Sequence, residues 1–210
     1  MKTIAVISQK GGAGKTTLTL HLAVAAQLDG KSTVVIDLDP QASAASWNDS
    51  RAFEDPAVIT APASRLKNVL SKAEELGADL CWIDTAPHSE RDALAAARAA
   101  DYVIIPCRPS IFDIRAIGNT VEMARLAKVP AVVIMNAVKP SSGFGNARTR
   151  DAVSAIKTYD IEVAPTHIVE RVAFEDAITA GQGILEFNPK CKAASELSAL
   201  YSWISKNVSL

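Results

Sequence analysis

A glycine-rich run between two lysines is the first part of the sequence that could do chemistry. It directly follows an apolar stretch of strand length and opens a helical pattern. The run consists of Lys10, Gly11, Gly12, Ala13, Gly14, Lys15, Thr16 and Thr17. Glycines let backbone N–H groups converge on phosphate oxygens, and a helix N-terminus adds the positive end of its dipole. A lysine and a hydroxyl at these positions serve the terminal phosphates and Mg²⁺. The run therefore predicts a phosphate-binding loop, although Gln9 stands where the usual GxxxxGK[ST] spacing has its first glycine.

Aspartates follow two other apolar runs. Asp37 and Asp39 come at the end of one run, and Asp84 ends the next. The carboxyl ends of parallel strands meet in the crevice where open α/β sheets bind ligands. Asp84 therefore suits the shell of a Mg²⁺ ion, and we expect only one of Asp37 and Asp39 to face a nucleotide.

The spacing of apolar residues predicts the elements that position these groups. Short, continuously apolar runs alternate with longer alanine-rich stretches of helical period, which is typical of parallel βαβ units covered by helices on both faces. Strands are predicted at residues 2–8, 32–37, 79–84, 101–106, 131–136 and 161–168. Helices are predicted at residues 15–29, 64–76, 90–100, 113–127, 145–158, 171–181 and 190–206. The prediction is an α/β fold, a three-layer sandwich with a mostly parallel central sheet, and one domain over residues 1–210.

Composition excludes several classes of protein. The chain has 22 Lys+Arg against 23 Asp+Glu and is 49% hydrophobic, so it can bury a full core and shows no basic excess of a dedicated nucleic-acid module. Its three cysteines form no CxxC or His/Cys cluster, which argues against disulfides and zinc. Since no run of 18 apolar residues occurs, we expect a cytoplasmic protein without a membrane span.

The combination of these motifs resembles the ParA/MinD branch of the P-loop ATPases, whose phosphate loop is a deviant Walker A motif. The match comprises KGGAGKTT with the early Lys10, DLDPQ from Asp37 to Gln41, and DTAP from Asp84 to Pro87. It continues from Ala100 to Ser110 and in the C-terminal stretch from Arg171 to Pro189. The resemblance covers nearly the whole chain and implies the P-loop NTPase fold.

The resemblance also implies ATP and Mg²⁺ as cofactors and an ATP-dependent sandwich homodimer. Lys10 of one subunit would reach the phosphates held by the other, and Asp39 would orient the attacking water. Lys15 would serve the β- and γ-phosphates, and Thr16 and Asp84 would hold the metal. The other implied nucleotide-binding residues are Gly11, Gly12, Ala13, Gly14, Thr17 for the α-phosphate and Asn136 for adenine. Hydrolysis would transfer a phosphoryl group to water and would be slow until the dimer assembles.

Within the family, the short stretch before Lys10 leaves no room for the amino-terminal helix-turn-helix domain of larger ParA proteins. The chain most resembles a small partition ParA of plasmids or chromosomes, which is nucleoid-associated. In such proteins the ATP dimer binds DNA non-specifically, and a ParB-type centromere-binding partner stimulates hydrolysis. Candidate DNA contacts are Lys139, Arg148, Arg150, Lys157, Arg171, Lys190 and Lys192. As many acidic residues are interleaved with them, so DNA binding follows from the resemblance alone.

Three other functions remain open. A MinD-like membrane protein would need a basic amphipathic C-terminal helix, but the stripe Leu197, Leu200, Tyr201, Ile204 and Val208 has only Lys206 as a nearby cation, which favours core packing. An electron-transfer iron protein of this fold would need cysteines that bridge two subunits, which the placement of Cys81 and Cys107 does not favour. ATPases that position chemoreceptors, carboxysomes or cellulose-synthesis machinery share all of the motifs.

Overall fold

A central parallel sheet organises the computed structural model, which describes residues 1–87, 89–140 and 145–210. The strands are β1 (Lys2–Val6), β2 (Thr33–Asp37), β3 (Ala57–Thr60), β4 (Leu80–Asp84), β5 (Tyr102–Cys107), β6 (Ala131–Met135) and β7 (Glu162–Val163). In the described part of the chain they form a 7-stranded sheet in the order β3-β2-β4-β1-β5-β6-β7. Every strand pair is parallel.

Helices cover both faces of this sheet, because the central strands are apolar on both sides. The helices are α1 (Lys15–Leu28), α2 (Ser43–Asp49), α3 (Leu66–Glu75), α4 (Glu90–Ala99), α5 (Ile111–Ala127), α6 (Gly145–Lys157), α7 (Val172–Thr179), α8 (Ile184–Phe187) and α9 (Lys192–Val208). Successive residues of a strand point to opposite faces of the sheet, so the side chains pack into two hydrophobic cores. One core packs α1, α2, α7, α8 and α9 against the sheet, and the other packs α3, α4, α5 and α6. The predicted three-layer α/β sandwich is confirmed.

Three elements were absent from the prediction. These are the edge strand β3 and the short helices α2 and α8. Several predicted elements were too long. The largest difference is at β7, which is confined to Glu162–Val163, and the helix predicted over residues 171–181 spans Val172–Thr179. No helix among the described residues is both long enough and apolar enough to cross a membrane.

The carboxyl ends of the central strands bring the predicted site residues to one edge of the sheet. The phosphate-binding loop leaves β1 and enters α1, which begins at Lys15. Asp37 at the end of β2 lies directly beside Asp84 at the end of β4, and Val6 of β1 lies beside Asp84 on the other side. Asn136 follows β6 at the same edge, so the topology gathers the loop, the carboxylates and this amide.

Candidate nucleotide site

The phosphate-binding loop has the backbone geometry that phosphate binding needs. Gly12 and Gly14 adopt left-handed conformations with φ of 71° and 85°, which glycine enters without steric cost. Gly14 is the N-cap of α1 and has no side chain to bond the first-turn amides. The loop therefore leads directly into a helix N-terminus whose backbone N–H groups can bind an anion.

Lys15 is a buried cation at the first position of α1. Only 6% of the residue is exposed. Burial lowers the pKa of its ammonium group, and the nearby carboxylates of Asp84 and Asp39 partly offset this effect. No hydrogen bond of its side chain is found within the described residues. A largely desolvated ammonium between carboxylates and a helix N-terminus is well placed to bind a terminal phosphate.

Thr16 and Asp84 form the pair that could hold a metal ion. The Thr16 hydroxyl donates a hydrogen bond of 2.6 Å to Oδ2 of Asp84, and the backbone N–H of Thr85 donates to Oδ1 at 3.1 Å. Complete burial raises the pKa of Asp84 to about 7, while the Thr16 hydrogen bond and the Lys15 charge act in the opposite direction. Hydroxyl and carboxylate oxygens are the ligands that Mg²⁺ takes from P-loop proteins, with phosphates and water completing its shell. The described residues contain no cluster of three or more His, Cys, Asp or Glu that could hold a metal. One carboxylate and one hydroxyl match the oxygen ligands that Mg²⁺ takes.

Asp37 and Asp39 have different roles in the structure. The buried carboxylate of Asp37 accepts hydrogen bonds from the backbone N–H groups of Asp39 at 2.9 Å and Ala44 at 3.0 Å. It thereby orders the start of α2. Asp39 is half-buried, and its Oδ1 accepts from the N–H of Gln41 at 2.9 Å. Its Oδ2 accepts no hydrogen bond within the described ranges, so Asp39 is the aspartate of the pair that can face a ligand.

Asn136 holds the phosphate-binding loop in place. Its side-chain Nδ2 donates to the carbonyl of Ala13 at 2.8 Å, and its backbone N–H donates to the carbonyl of Cys107 at 2.8 Å. A Cβ added at Gly14 would lie 2.3 Å from Nδ2 of Asn136, so this close approach also requires glycine. The adenine contact of Asn136 stays a prediction, and the loop contact was not foreseen.

An open pocket of about 150 Å³ lies between the phosphate-binding loop and α7. Gly12, Gly14 and Thr17 form its loop side, while Ile168 and Phe174 belong to an apolar wall. An apolar slot next to convergent polar groups is the usual form of a small-molecule site, and here it has room for a base beside the phosphates.

Lys10 and Gln9 occupy the other rim of the loop. Gln9 donates to Oε1 of Glu90 at 3.1 Å and accepts from Nδ2 of Asn119 at 3.4 Å, so it links the loop to α4 and α5. The backbone N–H of Lys10 donates to Oγ of Ser8 at 3.3 Å. Within the described residues the Lys10 side chain makes no hydrogen bond or ion pair. It is a half-buried cation at the site's edge.

Comparison with protein families identifies the chain. A model of the CobQ/CobB/MinD/ParA nucleotide binding domain matches residues 4–184. The chain belongs to this family. Its resemblance to the ParA/MinD ATPases, predicted from KGGAGKTT and the strand-end aspartates, is confirmed.

Relatives within the family cover nearly the whole chain. It is 31% identical over 210 residues to the maintenance of carboxysome distribution protein A of Gloeobacter kilaueensis, covering 99% of this chain and 94% of the relative. It is 28% identical over 251 residues to protein IncC of Escherichia coli, covering 97% of this chain and 69% of the relative.

Two solved structures share the fold and carry nucleotides. An ATP complex of a Cyanothece McdA variant has a TM-score of 0.76 at 19% identity, covering 100% of this chain and 97% of that one. The septum site-determining protein MinD of Pyrococcus horikoshii, with Mg-ADP, has a TM-score of 0.76 at 19% identity, covering 98% and 97%. The P-loop fold is confirmed. Membership of a nucleotide-binding family agrees with the prediction of ATP and Mg²⁺ as cofactors.

Proposed function

We propose that this ParA/MinD-family chain is a single-domain ATPase whose Mg-ATP-bound homodimer partitions DNA. The observation that carries the proposal is the buried Lys15 beside the Thr16–Asp84 pair at the start of α1. The side chain of Lys10 lies at the rim of the same loop and makes no hydrogen bond or ion pair in the described part of the chain. A second subunit would place its own Lys10 against these phosphates and complete the site.

The residues of the site divide the chemistry between them. Mg²⁺ would neutralise charge on the β- and γ-phosphates, and Thr16 and Asp84 would hold it. Lys15 and the loop amides bind the triphosphate, and Thr17 binds the α-phosphate. Asp39 orients the attacking water through its uncommitted carboxylate oxygen. Because the partner subunit supplies Lys10, hydrolysis requires the dimer. The nucleotide state in turn controls whether the dimer assembles.

Non-specific DNA binding by the ATP dimer, with a ParB-type partner that stimulates hydrolysis, completes the proposal. The likeness to IncC and the family's ParA members supports it. Of the candidate DNA contacts, Arg148, Arg150 and Lys157 are exposed on α6. Lys139 pairs with Glu170 and Arg171 pairs with Glu196, so these two cations are less available to phosphates.

Positioning of a protein cargo on the nucleoid is the second candidate function. The 31% identity to a carboxysome distribution protein over 99% of the chain favours it. In this case the cycle of ATP binding, dimerisation and hydrolysis is the same, and a different partner stimulates hydrolysis.

The membrane alternative loses its main support in the structure. The apolar stripe on α9, from Leu197 to Val208, is buried in the core against α1 and α8 rather than exposed to a lipid surface. The iron-protein alternative is also weakened, because Cys81 and Cys107 are buried.

DNA co-sedimentation tests the proposed cycle. The wild-type chain is expected to sediment with DNA in Mg-ATP and to remain in solution in Mg-ADP. Lys15→Ala should abolish sedimentation, because the triphosphate loses its buried cation. Lys67→Ala, at an exposed lysine of α3, is the matched control and should behave as wild type. Equal sedimentation in ATP and ADP contradicts the proposal.

Hydrolysis assays then distinguish the two candidate functions. A ParB-type centromere-binding protein is expected to raise ATP hydrolysis by the DNA-bound chain. If DNA binding depends on ATP but this partner does not change the rate of hydrolysis, DNA partition is rejected in favour of the second candidate function, the positioning of a protein cargo.

A further inference from the structure

Arg108 lies over the phosphate-binding loop. It belongs to the segment between β5 and α5, and its guanidinium rests against Gly12. A Cβ added at Gly12 would be 3.0 Å from Nη2 and 3.6 Å from Cζ of Arg108. The guanidinium and the loop backbone are therefore in close contact.

The same side chain faces the nucleotide pocket. Arg108 lines this pocket together with Gly14, Thr17 and Asn136. It lies on the side of the loop that carries Gly12 and Gly14. A nucleotide with its base in this pocket and its phosphates on the loop would therefore lie close to this guanidinium.

The charges around the pocket leave Arg108 available. The other arginine that lines the pocket, Arg171, donates through Nε to Glu196 at 3.2 Å. Glu170 of the pocket is paired with Lys139. Arg108 is exposed, and within residues 1–87, 89–140 and 145–210 its guanidinium makes no hydrogen bond or ion pair.

We infer that Arg108 is a nucleotide-binding residue that donates hydrogen bonds to the α- and β-phosphates held by its own subunit's loop. The inference rests on the proposed nucleotide site. A planar guanidinium fork matches phosphate oxygens and is charged at every relevant pH. Since ATP and ADP share these two phosphates, Arg108 strengthens the binding of both and acts before dimerisation.

Calorimetric titration of Arg108→Gln tests this inference. Mg-ADP and Mg-ATP are titrated into dilute protein, with adenosine as a ligand without phosphates. The dissociation constants for ADP and ATP are expected to rise about tenfold each, the effect of about 1.4 kcal/mol for one charge-assisted contact. Adenosine binding should be unchanged. Arg115→Gln, at an exposed arginine of α5, is the matched control and should match wild type.

Two further measurements make the test specific. Raising the salt concentration should weaken ADP binding less in Arg108→Gln than in wild type, because one ionic contact is missing. Arg108→Lys should recover part of the affinity, since it restores the charge without the fork.

Unchanged ADP affinity in Arg108→Gln overturns the inference. It is also overturned if only ATP-dependent dimerisation falls, because Arg108 would then act across the interface. Both results leave the proposed function intact, provided that the wild-type chain binds nucleotide. Failure of the wild type to bind either nucleotide overturns the proposed function and this inference together.

Discussion

A buried ion pair between Arg51 and Glu186 should contribute strongly to stability. The two side chains are 1% and 13% exposed, and they meet through two hydrogen bonds of 2.8 and 2.7 Å. Arg51 also donates to the carbonyl of Gly181 at 3.0 Å and lies 4.7 Å from the ring centre of Trp47. Glu186 accepts from the N–H of Gly183 at 2.8 Å. The pair joins the chain after α2 to α8.

The expected cost of breaking the pair follows from this burial. Removing one partner of a buried pair leaves an uncompensated charge and costs about 3–5 kcal/mol. Glu186→Gln keeps a carbonyl acceptor, and Arg51 keeps two backbone partners, the carbonyls of Gly181 and Asp55, so we expect the lower end, about 3 kcal/mol. Arg51→Met keeps the volume and should cost a similar amount. The double variant leaves no unpaired charge, so its loss of stability should be about 2 kcal/mol smaller than the sum of the two single losses.

Urea unfolding followed by circular dichroism at pH 7, without nucleotide, measures these losses. Lys72→Met is the control, because Lys72 and Glu75 form an ion pair of 3.4 Å whose side chains are 66% and 63% exposed. That variant should lose less than about 0.5 kcal/mol. If Glu186→Gln loses less than about 1 kcal/mol and its effect adds to that of Arg51→Met, the inference from burial is wrong.

Three further predictions concern the loop, the water-orienting aspartate and a buried histidine. Lys10→Ala should bind Mg-ATP as wild type does but fail to dimerise in size-exclusion chromatography, and normal ATP hydrolysis would show that Lys10 does not act across subunits. Asp39→Ala should retain an ATP dimer while hydrolysis falls about 100-fold, measured as phosphate release; normal turnover would exclude Asp39 as the residue that orients water. Burial lowers the pKa of His21 from 6.5 to about 4, so its contribution to stability is full above pH 6.5 and is lost as the pH falls toward 4. Between pH 7 and pH 5 the free energy of unfolding, measured in urea, should therefore fall by about 2 kcal/mol more in the wild type than in His21→Gln. Equal losses would contradict a lowered pKa of His21.

The central sheet and the candidate metal-binding pair could be predicted because their signals are local. Buried parallel strands are apolar on both faces, so runs such as Val103–Ile105 stand out without any knowledge of their partners. Lys15, Thr16 and Asp84 could be predicted as site residues because a glycine loop before a helix and a carboxylate at a strand end each have a recognisable sequence form. The structure adds the hydrogen bond that joins Thr16 to Asp84.

The edge strand and the short helices had no such signal. Ala57, Ile59 and Thr60 of β3 are exposed, so the strand lacks the apolar pattern that burial produces. It forms because it pairs with β2. The helix α2 has 7 residues, and its first turn is ordered by the carboxylate of Asp37, which accepts from Ala44. Both elements depend on contacts with residues outside the element itself, which leave no pattern in the local sequence.

These unforeseen contacts form one connected path around the nucleotide site. Asp37 orders α2, and Arg51 beyond α2 binds Glu186 of α8. The N–H of Ile184, at the start of α8, donates to Nδ1 of His21 on α1 at 3.0 Å. Since α1 begins at the phosphate-binding loop, the path returns to the site from which it started. Its links join residues 135 and 163 positions apart, so only the folded chain can bring them together. The local motif carries the predicted phosphate-binding groups, and this long-range path holds the helix on which they lie.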